Sequence, residues 1–263
     1  MLKGLWTILF LLVFSLTSFG CSSATTSVAP PIIKSQATVI KEMGSSTAAL
    51  VFRRGDDVFV YCTAVWVSEH TLLTAHHCVV GAARQWAKDH QSDKDDDDSD
   101  SDSVKMPRLL GFKMYYVVQG EVQGVSEEPS ATHLATVALL DNRHDLALLK
   151  VEGNVIPPHT FAKLADNAPG LGEHVLILGH VKGLYWSYIE GVVSAVREDL
   201  PVKSLGIHGP FLQVSGPVFY GNSGGGAFNS QGELVGIASF MYRAPQTTMF
   251  IHLDSIKNFL KVN

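Results

Sequence analysis

Strand-length runs of branched and aromatic residues recur from Ala48 to His252, each cut off by turn residues, and this rhythm excludes most fold classes. In the first half they are Ala48 to Phe52, Val58 to Val67, Thr71 to Thr74, Lys113 to Val118, Ala135 to Leu140 and Leu146 to Val151. In the second half they are His174 to Leu178, Tyr188 to Val196, Phe211 to Val214, Gly226 to Phe228, Leu234 to Phe240 and Met249 to His252. Val, Ile, Thr and aromatic side chains fit a pleated, half-buried surface. Arg54-Gly55-Asp56-Asp57, Ser68-Glu69-His70 and Asn167-Ala168-Pro169-Gly170 are turn chemistry. No long stretch before the last carries a convincing amphipathic helical period. At the end, Asp254 as N-cap with Ile256, Phe259 and Leu260 on one face predicts a short helix. Six strands fall on each side of the middle. The expected fold is all-β, two six-stranded antiparallel β-barrels with a short C-terminal helix, barrel 1 over about 37–152 and barrel 2 over about 153–263. A chain of 263 residues, 46% hydrophobic, can fill two such cores.

The first 36 residues read differently. Lys3 followed by the apolar stretch Leu5 to Phe19 and then Gly20-Cys21 makes 1–20 a signal peptide, or else an uncut anchor. The apolar run is short for a membrane span of about 20 residues. Cys21 resembles the lipid acceptor of bacterial lipoproteins, although Ser18 and Phe19 depart from that pattern; the alternatives are membrane attachment through a lipid on Cys21 or simple cleavage. Residues 21–36, rich in Ser, Thr, Ala and Pro, read as a flexible tether. The protein is expected to be exported, either periplasmic or at the cell surface, or secreted.

Export bears on the remaining cysteines. With Cys21 assigned to the anchor, Cys62 and Cys78 are left as a pair that can form a disulfide, or stay as two buried thiols. The acidic segment 89–103, with Asp95-Asp96-Asp97-Asp98 among serines, cannot bury its charge and reads as a solvated loop. A calcium loop is the sharper alternative, but no Gly stands at the sixth position and no Glu closes it. A net charge of −5 with no basic stripe argues against nucleic-acid binding. No cofactor or metal is expected.

Gly221-Asn222-Ser223-Gly224-Gly225 carries the chemistry. A nucleophilic hydroxyl must be exposed, with backbone N–H groups aimed at the oxygen that becomes negative, and glycines permit the tight backbone this needs. A serine nucleophile also needs a base and a group to orient that base. His77 is the candidate base, with His76 its rival and expected to be a packed neighbour. Asp145, at the mouth of the run Leu146 to Val151, is the candidate orienter. His144 and His180 are expected at the surface or in loops.

Thr74-Ala75-His76-His77-Cys78, Asp145-Leu146-Ala147-Leu148-Leu149-Lys150 and Gly221-Asn222-Ser223-Gly224-Gly225 resemble, in order, the triad motifs of the chymotrypsin-fold serine proteases. The spacing of Cys62 and Cys78 resembles the family's disulfide beside the catalytic histidine. The stretches Gly179 to Val196 and Gly232 to Ile237 resemble bacterial Deg-type (high-temperature-requirement) proteases. The resemblance spans roughly 45–260. It implies a chymotrypsin-like two-barrel fold and a serine endopeptidase with Ser223 as nucleophile, His77 as base and Asp145 as orienter. The oxyanion hole would be the N–H groups of Gly221 and Ser223. Ser239 and Phe240 would lie on the strand that pairs with an extended polypeptide substrate.

The pocket base is expected from Pro217, Val218, Phe219 and Tyr220, with walls near Ser239 to Met241 and Thr248 to Phe250. No carboxylate stands among them, so cleavage is expected after small or medium apolar residues. The chain also departs from the pattern. Asn222 stands where trypsin-like zymogens have Asp, which argues against activation by a buried new N-terminus. Deg-type proteases usually continue into PDZ domains, whereas this chain stops at Asn263, so control through such a domain is expected to be absent. Two other functions stay open at this point: a silent protease fold kept as a binding or chaperone-like scaffold, and an acidic loop acting on cations or a basic partner.

Overall fold

The computed structural model describes residues 34–90, 107–118, 129, 131–153, 160–198, 200, 206–242 and 246–261. The signal segment, Cys21, the tether up to residue 33 and the acidic segment beyond residue 90 lie outside the described residues.

Twelve strands close into two antiparallel barrels. The first comprises β1 (Thr47–Arg54), β2 (Asp57–Ser68), β3 (Thr71–Ala75), β4 (Lys113–Val118), β5 (His133–Asp141) and β6 (Leu146–Val151), in spatial order β1-β2-β3-β6-β5-β4. The second comprises β7 (His174–Val181), β8 (Leu184–Arg197), β9 (Phe211–Ser215), β10 (Gly226–Phe228), β11 (Leu234–Met241) and β12 (Thr247–His252), in the order β10-β11-β12-β9-β8-β7. Closure removes the exposed strand edges that invite aggregation. Gly55, at φ +61°, turns the β1–β2 hairpin where Arg54 pairs with Asp57, a left-handed position that short hairpin loops require.

A shared apolar seam joins the barrels. Val65, Leu73 and Leu146 of barrel 1 meet Leu176, Phe228 and Ile237 of barrel 2 in one buried cluster. Each such side chain contributes about 1.5–3 kcal/mol by leaving water. Two helices cover this seam. From α3 (Leu253–Lys261) come Ile256 and Phe259, and from α1 (Gln36–Ser45) come Val39 and Met43. Ser35 caps α1, its Oγ accepting the Thr38 N–H at 3.2 Å.

The structure adds α1 and α2 (His76–Asp89) to the helix expected at the C-terminus. Their apolar signal is weak for a physical reason. Helix α1 anchors chiefly through two large side chains, Val39 and Met43. In α2 the buried face is Cys78, Val79, Ala82, Ala83 and Ala87, mostly small residues. Alanine is the best helix former, yet it adds little apolar contrast to a sequence.

Candidate active site

The register of β3 against β6 places the first two candidates. Ala75 ends β3 directly opposite Leu146, which begins β6. His77 and Asp145 therefore leave the same end of neighbouring strands. His76 and His77 form the first turn of α2, whose preceding residue Ala75 offers no capping side chain. Asp145 fills that role from outside the helix. Its carbonyl accepts the His76 N–H at 3.0 Å, and its Oδ1 accepts the His77 N–H at 2.9 Å. These are orphan donors at the positive end of the helix dipole, where a carboxylate is favoured.

The other carboxylate oxygen holds the imidazole. His77 Nδ1 lies 2.8 Å from Asp145 Oδ2, which also accepts a hydrogen bond from Ser239 Oγ. Asp145 is 1% exposed, whereas the His77 side chain is 41% exposed. With the Nδ1 proton directed to Asp145, Nε2 is the free lone pair. Asp145 has φ +56°, a left-handed conformation that Asp tolerates better than most residues. The resemblance also implies that Ser239 helps bury Asp145, and its hydroxyl closes the third side of the carboxylate.

Peptide-plane geometry determines what the loop from Gly221 to Gly225, with the candidate nucleophile Ser223, presents. The Tyr220 carbonyl accepts the Lys182 N–H at 2.9 Å, and the Asn222 carbonyl accepts the Gly225 N–H at 2.8 Å. In a trans peptide the N–H points opposite to the carbonyl. The Gly221 and Ser223 N–H groups are thereby turned away from those partners, and neither donates to an acceptor among the described residues. Gly221 has φ +97°, and a Cβ there would stand 2.0 Å from the His180 carbonyl oxygen, so only glycine fits.

Barrel 1 clamps this loop. Thr63 Oγ1 donates to the Gly221 carbonyl at 2.7 Å, and the Thr63 N–H donates to the Ser223 carbonyl at 2.8 Å. Its neighbour Cys62 is disulfide-bonded to Cys78 on α2, with a Cα–Cα distance of 6.1 Å. Strand β2, α2 and the nucleophile loop are thus tied at adjacent residues. Cys62, His77 and Cys78 bring three donor atoms within 4.8 Å of one another, but the disulfide consumes both sulfurs as thiolate ligands.

His77, Gly221 and Ser223 line one cavity of about 510 Å³. Among the described residues no hydrogen bond joins Ser223 Oγ to His77. Such bonds are commonly long before substrate arrives. The cavity is walled by Val218, Phe219, Tyr220, Phe240, Met241 and Thr248, with Ser239 beside them. Pro217, expected at its base, is exposed and does not line it; the buried side chain at this turn is Val218, 4% exposed. Met249 and Phe250, expected on a wall, are fully buried in barrel 2 and do not line it either. Of these three only Thr248 lines the cavity: alternation along β12 turns Met249 to the opposite side, and Phe250 packs into the barrel 2 core.

The other histidines separate by environment. His76 is partly buried, and burial holds its pKa below the ordinary imidazole value. His144 sits in its turn, with Nδ1 2.7 Å from Asp141 Oδ2. His180 contradicts the surface expectation. It is wholly buried on β7, with Nδ1 accepting the Trp186 N–H at 3.1 Å and Nε2 facing the Ala48 carbonyl without a well-formed hydrogen bond. Burial pushes its pKa down to about 3. Sequence reading missed Thr63, Lys182, Tyr61 and Ile207, because none has a motif: two clamp the loop through backbone or hydroxyl groups and two are wall residues.

Known proteins share this architecture and parts of this sequence. A probable periplasmic serine endoprotease, DegP-like, from Pseudomonas fluorescens is 38% identical over 102 residues, 39% of this chain and 20% of that protein. Its counterpart from Pseudomonas putida strain GB-1 is 42% identical over 103 residues, again 39% of this chain and 20% of that protein. The matched stretch therefore spans about a fifth of the length of these relatives. Among solved structures, the serine endoprotease from Yersinia pestis superposes with a TM-score of 0.57 at 17% identity, covering 88% of this chain and 67% of that one. An HtrA-type protease with tripeptide gives 0.59 at 19% identity, covering 87% and 62%. At these identities the likeness is one of fold, the chymotrypsin-like pair of barrels. A family model described as a trypsin-like peptidase domain matches residues 62–237, more than half of the chain, and the protein belongs to that family.

Proposed function

We propose that this protein is an exported serine endopeptidase that hydrolyses peptide bonds through an acyl-enzyme intermediate. Ser223 Oγ attacks the scissile carbonyl carbon while His77 Nε2 takes the hydroxyl proton. The carbonyl oxygen, now negative, rests between the N–H groups of Gly221 and Ser223, a contribution of about 3–4 kcal/mol per donor in comparable sites. Collapse of this intermediate breaks the C–N bond, and His77 passes its proton to the leaving amine. Water then repeats the sequence on the ester and frees Ser223. Asp145 keeps the imidazole in the required tautomer and stabilises the imidazolium.

One observation carries this reading: a carboxylate 1% exposed is hydrogen-bonded to the Nδ1 of a histidine that opens, with Ser223, onto a single cavity. The DegP-like names of relatives support the same activity and a periplasmic location. Among the described residues no carboxylate lines the cavity, which favours a small or medium side chain before the cleaved bond over Arg or Lys. Attachment through a lipid on Cys21 stays part of this proposal. The test is labelling of the folded protein with a fluorophosphonate. An adduct on Ser223 is expected; its absence would sink the reading.

A further inference from the structure

Tyr61 is a wall between two cavities. It lines both the active-site cavity and a second cleft of about 460 Å³. Phe52, Ala82, Trp86, Phe112, Tyr115 and Leu134 build the apolar surface of that cleft. Tyr61 stacks on Phe52 with ring centroids 4.0 Å apart, and Trp86 meets Phe112 edge-on at 6.3 Å. Trp86 and Tyr115 remain 45% and 37% exposed, a high fraction for large rings lining a concave surface.

The charges at the rim are already engaged. Arg54 lies 3.6 Å from Asp89, Lys113 bonds Glu152 at 2.9 Å, and Arg53 sits over the Tyr115 ring, its Nη1 3.4 Å from Thr132 Oγ1. The Tyr61 hydroxyl is buried with no hydrogen-bond partner among the described residues.

The direction of the substrate links the two cavities. On the endopeptidase reading, the part of the substrate before the scissile bond would lie against Ser239 to Met241 and the Phe219–Tyr220 wall, which line the active-site cavity. His77 must stand beside the leaving nitrogen to protonate it. On the His77 side the wall continues through Cys78, Gly81 and Cys62 to Tyr61. On the endopeptidase reading, a leaving segment would then extend over the disulfide toward Tyr61, which the two cavities share.

We propose that this cleft is a subsite for a large apolar side chain of the polypeptide substrate, carried a few residues after the scissile bond. The proposal rests on the endopeptidase reading above. At about 3.3 Å per extended residue, passing a wall one tyrosine wide takes roughly two to four residues. The cleft accepts an aliphatic or aromatic side chain because its floor offers apolar area. Continuity with the active-site cavity through one shared side chain singles out the substrate, rather than a separate partner, as the occupant.

Internally quenched peptides of identical sequence before the bond provide the test. Each carries one Phe or Leu at the second, third or fourth position after it, against a series with Ala there. At least one placement is expected to raise kcat/KM about tenfold or more over its Ala counterpart, the scale of pocket discrimination by apolar groups. Trp86→Ala should cut that ratio below about threefold, and the ratio cancels any change common to both peptides. A fluorescent form of the favoured peptide should also bind Ser223→Ala protein more tightly than the Ser223→Ala, Trp86→Ala double variant. Equal cleavage of both series, or a gain that survives in Trp86→Ala, overturns the subsite alone; a cleft filled by another stretch of this chain gives the same result. No cleavage together with no fluorophosphonate adduct overturns the endopeptidase reading, and the subsite with it.

Discussion

Asp145 accepts two hydrogen bonds from His77, from the backbone N–H at 2.9 Å and from ring Nδ1 at 2.8 Å. One carboxylate thus caps α2 and orients the imidazole on that helix's first turn. Helix placement and ring placement are the same constraint, so the position of His77 does not depend on loop order.

Replacing Asp145 with Asn separates charge from shape. The amide keeps an acceptor for the His77 N–H but cannot hold the imidazolium, and it favours the wrong tautomer. Fluorophosphonate labelling of Ser223 is expected to slow about 10⁴-fold, by analogy with the effect of this change in other triads. Stability should fall by only about 1 kcal/mol, the size of a cap contribution. A comparable loss in both labelling and unfolding midpoint would contradict this division.

Thr63 clamps the loop whose Gly221 and Ser223 N–H groups form the oxyanion hole in the proposed mechanism. Thr63→Val keeps the backbone bond to the Ser223 carbonyl but strands the buried Gly221 carbonyl, at a cost of about 1–3 kcal/mol. Urea unfolding should show that loss. Steady-state kinetics should show kcat falling more than KM rises, while Thr63→Ser restores most of both.

The Cys62–Cys78 bond closes a loop with a sequence separation of 16. Chain entropy assigns it roughly 3 kcal/mol. Reduction, or the double change Cys62→Ala with Cys78→Ala, should lower the free energy of unfolding by about that amount. Denaturant titration with and without reductant measures it, and an unchanged midpoint would count against it.

His180 makes stability sensitive to acid. Its folded pKa is depressed to about 3 by burial, against 6.5 for an ordinary imidazole. Between those values the unfolded chain binds a proton that the folded protein does not. Stability contributed by neutral His180 is therefore intact above about pH 6.5 and declines as pH falls toward 3, by up to about 1.4 kcal/mol per unit. In His180→Asn, whose amide oxygen can accept the Trp186 N–H but does not titrate, the free energy of unfolding should change less steeply between pH 6.5 and 4.5. An identical slope in the two proteins would exclude His180 as the source.

Element by element, legibility followed contrast. Strands β1 to β12 stand out because branched and aromatic residues alternate with turn chemistry such as Gly55 and Pro169. Helix α2 does not, because Ala82, Ala83 and Ala87 pack by being small. His77, Asp145 and Ser223 sit in local motifs readable within a few residues of each. Pro217 was misplaced because a turn residue's direction depends on its backbone angles, and Val218 rather than its neighbour turns inward.

The sequence by itself determined the two-barrel class, the order of the strands and which residue types could do acyl-transfer chemistry, because hydrophobic period and turn residues act over short stretches of chain. Tertiary structure alone decided that Asp145 caps the helix bearing His77, that Thr63 grips the Gly221 carbonyl from 158 residues away, that His180 is buried, and that Tyr61 stands between two cavities. Those relationships depend on strand register and barrel closure, which sum many weak contacts between segments distant in the chain, and no single stretch of residues encodes them.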